Sequence, residues 1–120
     1  MYNQIMKITS IEQSKTLSKI LPLESADAYY SDLGNEEFYI DYQCPCTLLK
    51  NEVPAWSLNA LLDALDVDLT KYTVQLWKSQ EFWMCELIEY GIGTIIATKA
   101  TDKLDACVEA VIAAREAKLL

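Results

Sequence analysis

The sequence predicts an α+β fold: an antiparallel sheet of about five strands with two or three helices on one face. Short runs rich in aromatic and β-branched residues occur in pairs joined by turn residues, which is typical of hairpins and so of antiparallel pairing. Apolar residues elsewhere recur at helical spacing behind capping residues. The elements are predicted in the order α-β-β-α-β-β-β-α.

A helix is predicted over about residues 10–20. Thr9-Ser10-Ile11-Glu12 has the pattern of a capping box, in which a hydroxyl is followed by a carboxylate near the start of the helix. Pro22 lacks the backbone N–H that a helix requires, so the helix should end before it.

A hairpin follows, formed by AYYSDL and EEFYIDYQ around Gly34-Asn35, because glycine supplies the positive φ of a tight turn. A two-residue loop pairs Ser31 with Phe38 and Tyr29 with Ile40. The core face would carry Tyr29, Phe38, Ile40 and Tyr42, and the exposed, acidic face would carry Tyr30, Asp32, Glu37, Tyr39 and Asp41.

Residues 43–55 are predicted to be a loop, because Pro45, Asn51 and Pro54 are turn residues. Ser57 then caps a second helix that runs to about residue 65, with leucines spaced along one face.

The second half of the chain contains two more strands, YTVQLWK and FWMCELIEY, with Ser79-Gln80 as the predicted loop between them. This register places Trp77 opposite Phe82 on the face away from the core. TIIATK is predicted to be the last strand, and Thr101 or Asp102 caps the final helix.

The net charge of −8 is concentrated in residues 24–68, which hold ten acidic residues and one base, Lys50. Binding to a nucleic-acid backbone needs Lys and Arg side chains, and the chain has no basic stripe. Direct nucleic-acid binding is therefore not expected. A protein partner of basic character would complement the acidic segment.

Metal sites and catalytic nucleophiles in proteins commonly use cysteine or histidine side chains. The chain has four cysteines and no histidine. Cys44 and Cys46 are separated by one residue, whereas zinc sites usually repeat a pair with a longer spacer. Cys85 and Cys107 fall on apolar faces and should be buried. The absence of histidine excludes Ser-His-Asp and Cys-His catalysis, and no glycine-rich phosphate loop is present. The sequence predicts no catalytic residue, no metal site and no cofactor.

Pro54-x-Trp56-Ser57-Leu58-x-Ala60-Leu61-Leu62, followed by Asp105-Ala106-Cys107-Val108-Glu109, resembles small uncharacterised proteins encoded in prophages and mobile elements of gut Bacteroidetes. This resemblance implies a bacterial cytoplasm and an accessory role. It brings no functional residue with it.

One domain over residues 1–120 is expected, without a membrane span or a signal peptide and therefore cytoplasmic. The predicted function is a non-enzymatic, phage-related protein-interaction module, and association between copies is left open. Two alternatives are a thiol or metal protein that uses Cys44 and Cys46, and a small-molecule binder that uses the aromatic sheet face. The candidate partner contacts are Tyr30, Asp32, Glu37, Tyr39, Asp41, Trp77 and Phe82.

Overall fold

A computed structural model describes residues 7–32, 38–41, 52–66, 68 and 70–120. In this part of the chain the fold is α+β, as predicted. The helices are α1 (Ile11–Leu17), α2 (Leu58–Leu65) and α3 (Lys103–Glu116), with a 3₁₀ turn at Leu23–Ser25, and the strands are β1 (Ala28–Asp32), β2 (Phe38–Asp41), β3 (Glu52–Ala55), β4 (Tyr72–Ser79), β5 (Phe82–Glu89) and β6 (Gly93–Ala100).

The described strands form two antiparallel sheets, so the prediction of a single sheet is wrong. The first sheet has the order β2-β1-β3 and the second has the order β4-β5-β6. The extra strand is β3, which lies at the end of the segment predicted to be a loop. Pro54 indicated a turn in the sequence, but β3 is an edge strand, where the missing N–H of proline is tolerated.

The register of the first hairpin differs from the prediction by one residue. Ser31 pairs with Tyr39 and Tyr30 pairs with Ile40. A shift of one residue moves a strand's side chains to the other face. Tyr30 is accordingly 8% exposed, in a small cluster with Ala28 and Ala55, so its placement on a solvent-exposed acidic face is wrong.

The second hairpin turns at Gln80 and Glu81, so Ser79 pairs with Phe82. Trp77 therefore lies opposite Met84, not opposite Phe82 as predicted. Gln80 adopts a positive φ of 54°, which the sequence did not indicate. The predicted pairing of these two strands is wrong by two residues, so every side chain keeps the sheet face assigned to it.

The main core lies between the second sheet and helices α2 and α3. Helix α3 packs against β5, β6 and α2. Cys85 and Cys107 are fully buried there, as predicted. Other members of this core are Leu61, Leu65, Leu87, Ile96, Leu104, Val108 and Val111, with Leu17 and Trp56 joining from the N-terminal half.

The helix caps agree in part with the prediction. Ser57 caps α2 and Asp102 caps α3. Helix α1 is shorter than predicted, and its capping box joins Ser10 to Gln13 instead of Thr9 to Glu12. Within the described ranges, no helix is both long and apolar enough to cross a membrane.

Candidate functional site

The second sheet has one covered face and one open face. Cys85, Leu87 and Ile96 face the helices and are buried. Because side chains alternate along a strand, Trp77 on β4 and Met84 on β5 belong to the opposite face. No element of the part of the chain that the structure describes packs extensively on that face.

Trp77, Phe82, Met84 and Ile88 lie on this open face, and we call these four side chains the open-face patch. Trp77 is 38% exposed and Phe82 is 39% exposed, whereas Met84 and Ile88 are half-buried. Trp77 sits directly opposite Met84 in the pairing of β4 with β5. An apolar surface that includes exposed aromatic rings is characteristic of a contact site.

Polar groups hold the two exposed rings in place. The indole N–H of Trp77 donates to the carboxylate of Glu86. Thr94 donates its hydroxyl to the other oxygen of Glu86, at 3.3 Å. The ammonium of Lys99 lies 5.1 Å from the centre of the Phe82 ring, within the range of a cation–π contact. The patch is therefore bordered by one anion and one cation that its own rings engage.

The sequence identified the two aromatic members of the patch, Trp77 and Phe82, and both are exposed on the face predicted for them. It missed Met84 and Ile88. Their signal was present in FWMCELIE, where apolar residues occupy both alternating sets of positions. A strand that is apolar on both faces indicates a second contact surface when only one face is covered by the fold.

The strand pairing of the first hairpin differs from the one that predicted an acidic surface there. Asp32 pairs with Phe38, not with Glu37, and its position in the register alternates with those of Tyr39 and Asp41. Glu37 lies outside the described residues, as do Cys44 and Cys46. With Tyr30 buried, Trp77 and Phe82 are the predicted contact residues whose side chains are described and exposed.

A buried polar cluster joins the N-terminal segment to the first sheet and to the entry of α2. Thr9 is its centre. Its amide donates to the Trp56 carbonyl at 2.9 Å, its hydroxyl accepts the Trp56 amide at 3.1 Å and lies 2.8 Å from the Ser14 hydroxyl, and its carbonyl accepts the Tyr30 hydroxyl at 2.7 Å. These bonds satisfy groups that solvent does not reach, so their role is structural.

The Pro-x-Trp-Ser entry of α2 is held by the same kind of bonding. The Trp56 ring is fully buried and donates its N–H to Ser25 at 3.0 Å. Asp27 accepts the amide of Ser57 at 2.9 Å and also its hydroxyl. The Pro-x-Trp-Ser motif therefore fixes the start of α2. Ser57 is itself buried, so its hydroxyl is not an accessible nucleophile.

A cleft of about 280 Å³ lies where the end of α2 meets β4. It is lined by Leu62, Asp63, Asp66, Thr73 and Val74. Both carboxylate residues are exposed. This end of β4 is thus acidic, whereas the other end carries the exposed Lys78.

Metal-binding side chains do not cluster in the described ranges: no group of three or more Cys, Asp or Glu residues could hold an ion there. Cys85 and Cys107 are both free thiols. A hydrogen bond between these thiols, together with burial, raises the pKa of Cys107. A buried thiol with a raised pKa is a poor nucleophile and a poor metal ligand.

The open-face patch is the arrangement among the described residues that best fits a binding role. Comparison with protein-family models, with curated proteins and with solved structures finds no match to this chain.

Proposed function

We propose that this protein is a non-enzymatic interaction module that binds a basic partner protein through the open-face patch. The observation that carries the proposal is the exposure of Trp77 and Phe82 on an uncovered sheet face. Aromatic side chains dominate the energetics of protein contacts, because each buries a large area at a small cost in conformational entropy.

The backbone beneath the patch supports a preorganised surface. The patch stands on a three-stranded sheet with a one-to-one register between β4 and β5, and the opposite sheet face is packed against α3. Its rings are already oriented by Glu86 and Lys99. A surface that is ordered before binding loses less entropy on association.

The charge of the chain indicates the kind of partner. A net charge of −8 attracts a positively charged protein over the distance of an encounter and raises the association rate. The patch itself is apolar, so the matching surface of the partner should be apolar with a basic surround. The resemblance to prophage and mobile-element proteins supports an accessory role in a bacterial cytoplasm.

The test is a pull-down from extract of the source cells, quantified by mass spectrometry. The bait is the wild-type chain, the Trp77→Ala/Phe82→Ala variant or the control variant Ile92→Ala. Ile92 is 72% exposed at the turn between β5 and β6 and lies outside the patch, so it matches the loss of exposed apolar surface.

A basic protein captured by wild type and by Ile92→Ala, and lost from the double variant, supports the proposal. Equal capture by all three baits would assign binding to another surface. Circular dichroism spectra should be the same for the three baits, because the substituted side chains lie outside the main core.

A further inference from the structure

The second sheet has two edge strands, and they differ. Strand β6 is interrupted by a β-bulge where it passes Leu87 and Ile88 of β5. A bulge is a feature that protects an edge from pairing with another strand. Strand β4 pairs with β5 over eight consecutive residue pairs without a bulge, and its other edge is paired with no described strand.

One hydrogen bond shows which backbone N–H and C=O groups of β4 point to its outer edge. The amide of Tyr90 donates to the carbonyl of Lys71 at 2.9 Å, which makes these two residues a hydrogen-bonded pair. In an antiparallel ladder such pairs alternate with pairs whose N–H and C=O groups point away. Val74, Leu76 and Lys78 therefore direct their backbone groups outward. The amide of Tyr72 donates to Asp68 at 2.8 Å, which leaves its carbonyl on the edge.

The two ends of this edge carry opposite charge on the same side of the sheet. Asp63 and Asp66 line the cleft beside Thr73 and Val74. Lys78 lies at the other end, with its ammonium 6.0 Å from the centre of the Trp83 ring on the face that the helices cover. Lys71 also stands at the first end, with its ammonium 5.3 Å from the centre of the Tyr72 ring, but the exposed Asp63, Asp66 and Asp68 outnumber it. The surroundings of the edge are thus acidic near the start of β4 and basic near its end, so the edge is complementary to itself when two copies run antiparallel.

We propose that two copies of this chain associate through β4, which pairs antiparallel with β4 of the second copy. The two-fold axis passes at Gln75, so that Val74 faces Leu76 of the second copy. Lys78 of each copy then faces Tyr72 of the other, beside Asp63 and Asp66. The result is one continuous six-stranded sheet whose outer face carries two open-face patches side by side.

The charge pattern around the edge of β4 is complementary to itself, which favours a second copy of the chain as the strand that pairs with this edge. An extended basic peptide from another protein would satisfy the acidic end of β4, but it would place like charges together at Lys78. The inference concerns only the edge of the sheet and does not depend on the partner of the open-face patch.

A cysteine at the two-fold axis tests the register. In the dimer the Cα atoms of the two Gln75 residues form a pair within the range that a disulfide spans, about 4.4–6.8 Å. Two Thr73 residues would instead be offset by four residues, roughly 13 Å along the strand. With Cys44 and Cys46 replaced by serine in every chain, we expect the Gln75→Cys chain to form a cross-linked dimer with diamide as the oxidant, and the Thr73→Cys chain and the chain without an added cysteine not to do so.

A charge exchange tests the contacts. Light scattering of the wild-type chain should give twice the monomer mass of 13.6 kDa. Lys78→Glu alone and Asp63→Lys/Asp66→Lys alone should each raise the dissociation constant of the dimer by about tenfold or more, because each places like charges together. The triple variant should recover the dimer. Lys99→Glu makes the same reversal on β6, the opposite edge strand; it removes the cation from Phe82 but should leave the dissociation constant of the dimer unchanged.

A monomeric wild-type chain would overturn the proposal, as would a dimer that Lys99→Glu weakens and Lys78→Glu does not. Cross-linking of Thr73→Cys as readily as of Gln75→Cys would overturn the register. Recovery of the dimer in the triple variant also shows that the three substitutions are compatible with the folded chain.

Discussion

Asp102 illustrates how one side chain can serve two purposes in this protein. Its carboxylate caps α3 by accepting the amides of Leu104 at 2.7 Å and Asp105 at 3.4 Å. The same carboxylate forms an ion pair with Lys7, which ties the N-terminal segment to the last helix. A negative charge at this position also interacts favourably with the helix dipole.

These contacts set the ionisation of Asp102. Partial burial opposes the charged form, but the bond from Lys7 and the two amides outweigh burial and hold the pKa of Asp102 below its ordinary value. A lowered pKa in the folded state means that the carboxylate stabilises the fold at pH values above the unfolded-state pKa, about 3.9. This stabilisation is lost as the pH falls through the folded-state pKa.

We predict that Asp102→Ala lowers the free energy of unfolding at neutral pH by about 1 kcal/mol, the usual cost of a lost cap. Asp102→Asn keeps an acceptor for the helix amides and should cost less. It cannot ionise, so it should lose less stability than wild type between neutral pH and about pH 3. Urea denaturation at the two pH values measures both effects.

The control for this comparison is Glu109→Gln on the exposed face of α3, which should behave like wild type at both pH values. An Asp102→Asn variant that loses as much stability on acidification as wild type would contradict the assigned role of the carboxylate.

At the scale of elements, Thr9 connects segments whose proximity is indicated by no local pattern of residues. Its hydroxyl accepts the Trp56 amide and contacts the Ser14 hydroxyl, while its carbonyl accepts the Tyr30 hydroxyl. The residues before α1 thereby join α1, β1 and the entry of α2. Thr9 is fully buried, so water cannot replace a bond that is removed.

We predict that Thr9→Val, which conserves shape but removes the hydroxyl, lowers the free energy of unfolding by about 1–3 kcal/mol because the Trp56 amide is left without a partner. Thr16→Val is the matched control: its hydroxyl also bonds, to the Glu12 carbonyl at 3.3 Å, but on the exposed side of α1. Chemical denaturation of the two variants should separate them, and equal losses would contradict the role assigned to Thr9.

Periodicity in the sequence predicted those elements that local patterns determine. The cap Ser57 was predicted correctly, and Asp102 was one of the two residues predicted to cap α3. The face assignments of the second hairpin were also correct, since a pairing error of two residues conserves the faces. The first hairpin failed because the error there was one residue, which inverted the environment of Tyr30.

Strand β3 was missed for a different reason. Pro54 has the local properties of a turn residue, and its place in a sheet depends on β1, which is distant in the chain. Two of the four residues of the candidate site were predicted, because strand alternation placed Trp77 and Phe82 away from the core. Met84 and Ile88 were missed, because only the packing of α3 on one sheet face shows which apolar positions remain uncovered.

At the scale of the whole molecule, the Cys85 and Cys107 thiols report on the integrity of the main core. Both are fully buried between β5 and α3, and the raised pKa of Cys107 further suppresses the thiolate. Reaction with a thiol reagent therefore requires the core to open. Labelling of these residues follows the equilibrium between folded and open states.

We predict that Cys85 and Cys107 are modified together and no faster than the whole protein unfolds, whereas Cys44 or Cys46 is modified first. Peptide mapping by mass spectrometry after timed labelling with iodoacetamide distinguishes the four positions, and denatured protein gives complete labelling as the reference. Modification of Cys107 well before global unfolding would show that α3 separates from the sheet independently.

The division of the strands into two sheets has a consequence for the order in which the molecule opens. Among the residues whose burial the structure describes, the first sheet contributes a cluster of three buried apolar residues, Ala28, Tyr30 and Ala55, whereas the second sheet shares the main core with α2 and α3. A region with fewer buried contacts opens at a smaller cost in free energy. The amide hydrogens of β1 and β3 should thus exchange with deuterated solvent through a subglobal fluctuation, while those at the centre of β5 exchange only through global unfolding. Added urea should accelerate amide exchange in β5 and leave amide exchange in β1 nearly unchanged. The open-face patch would therefore persist in molecules whose first sheet has opened.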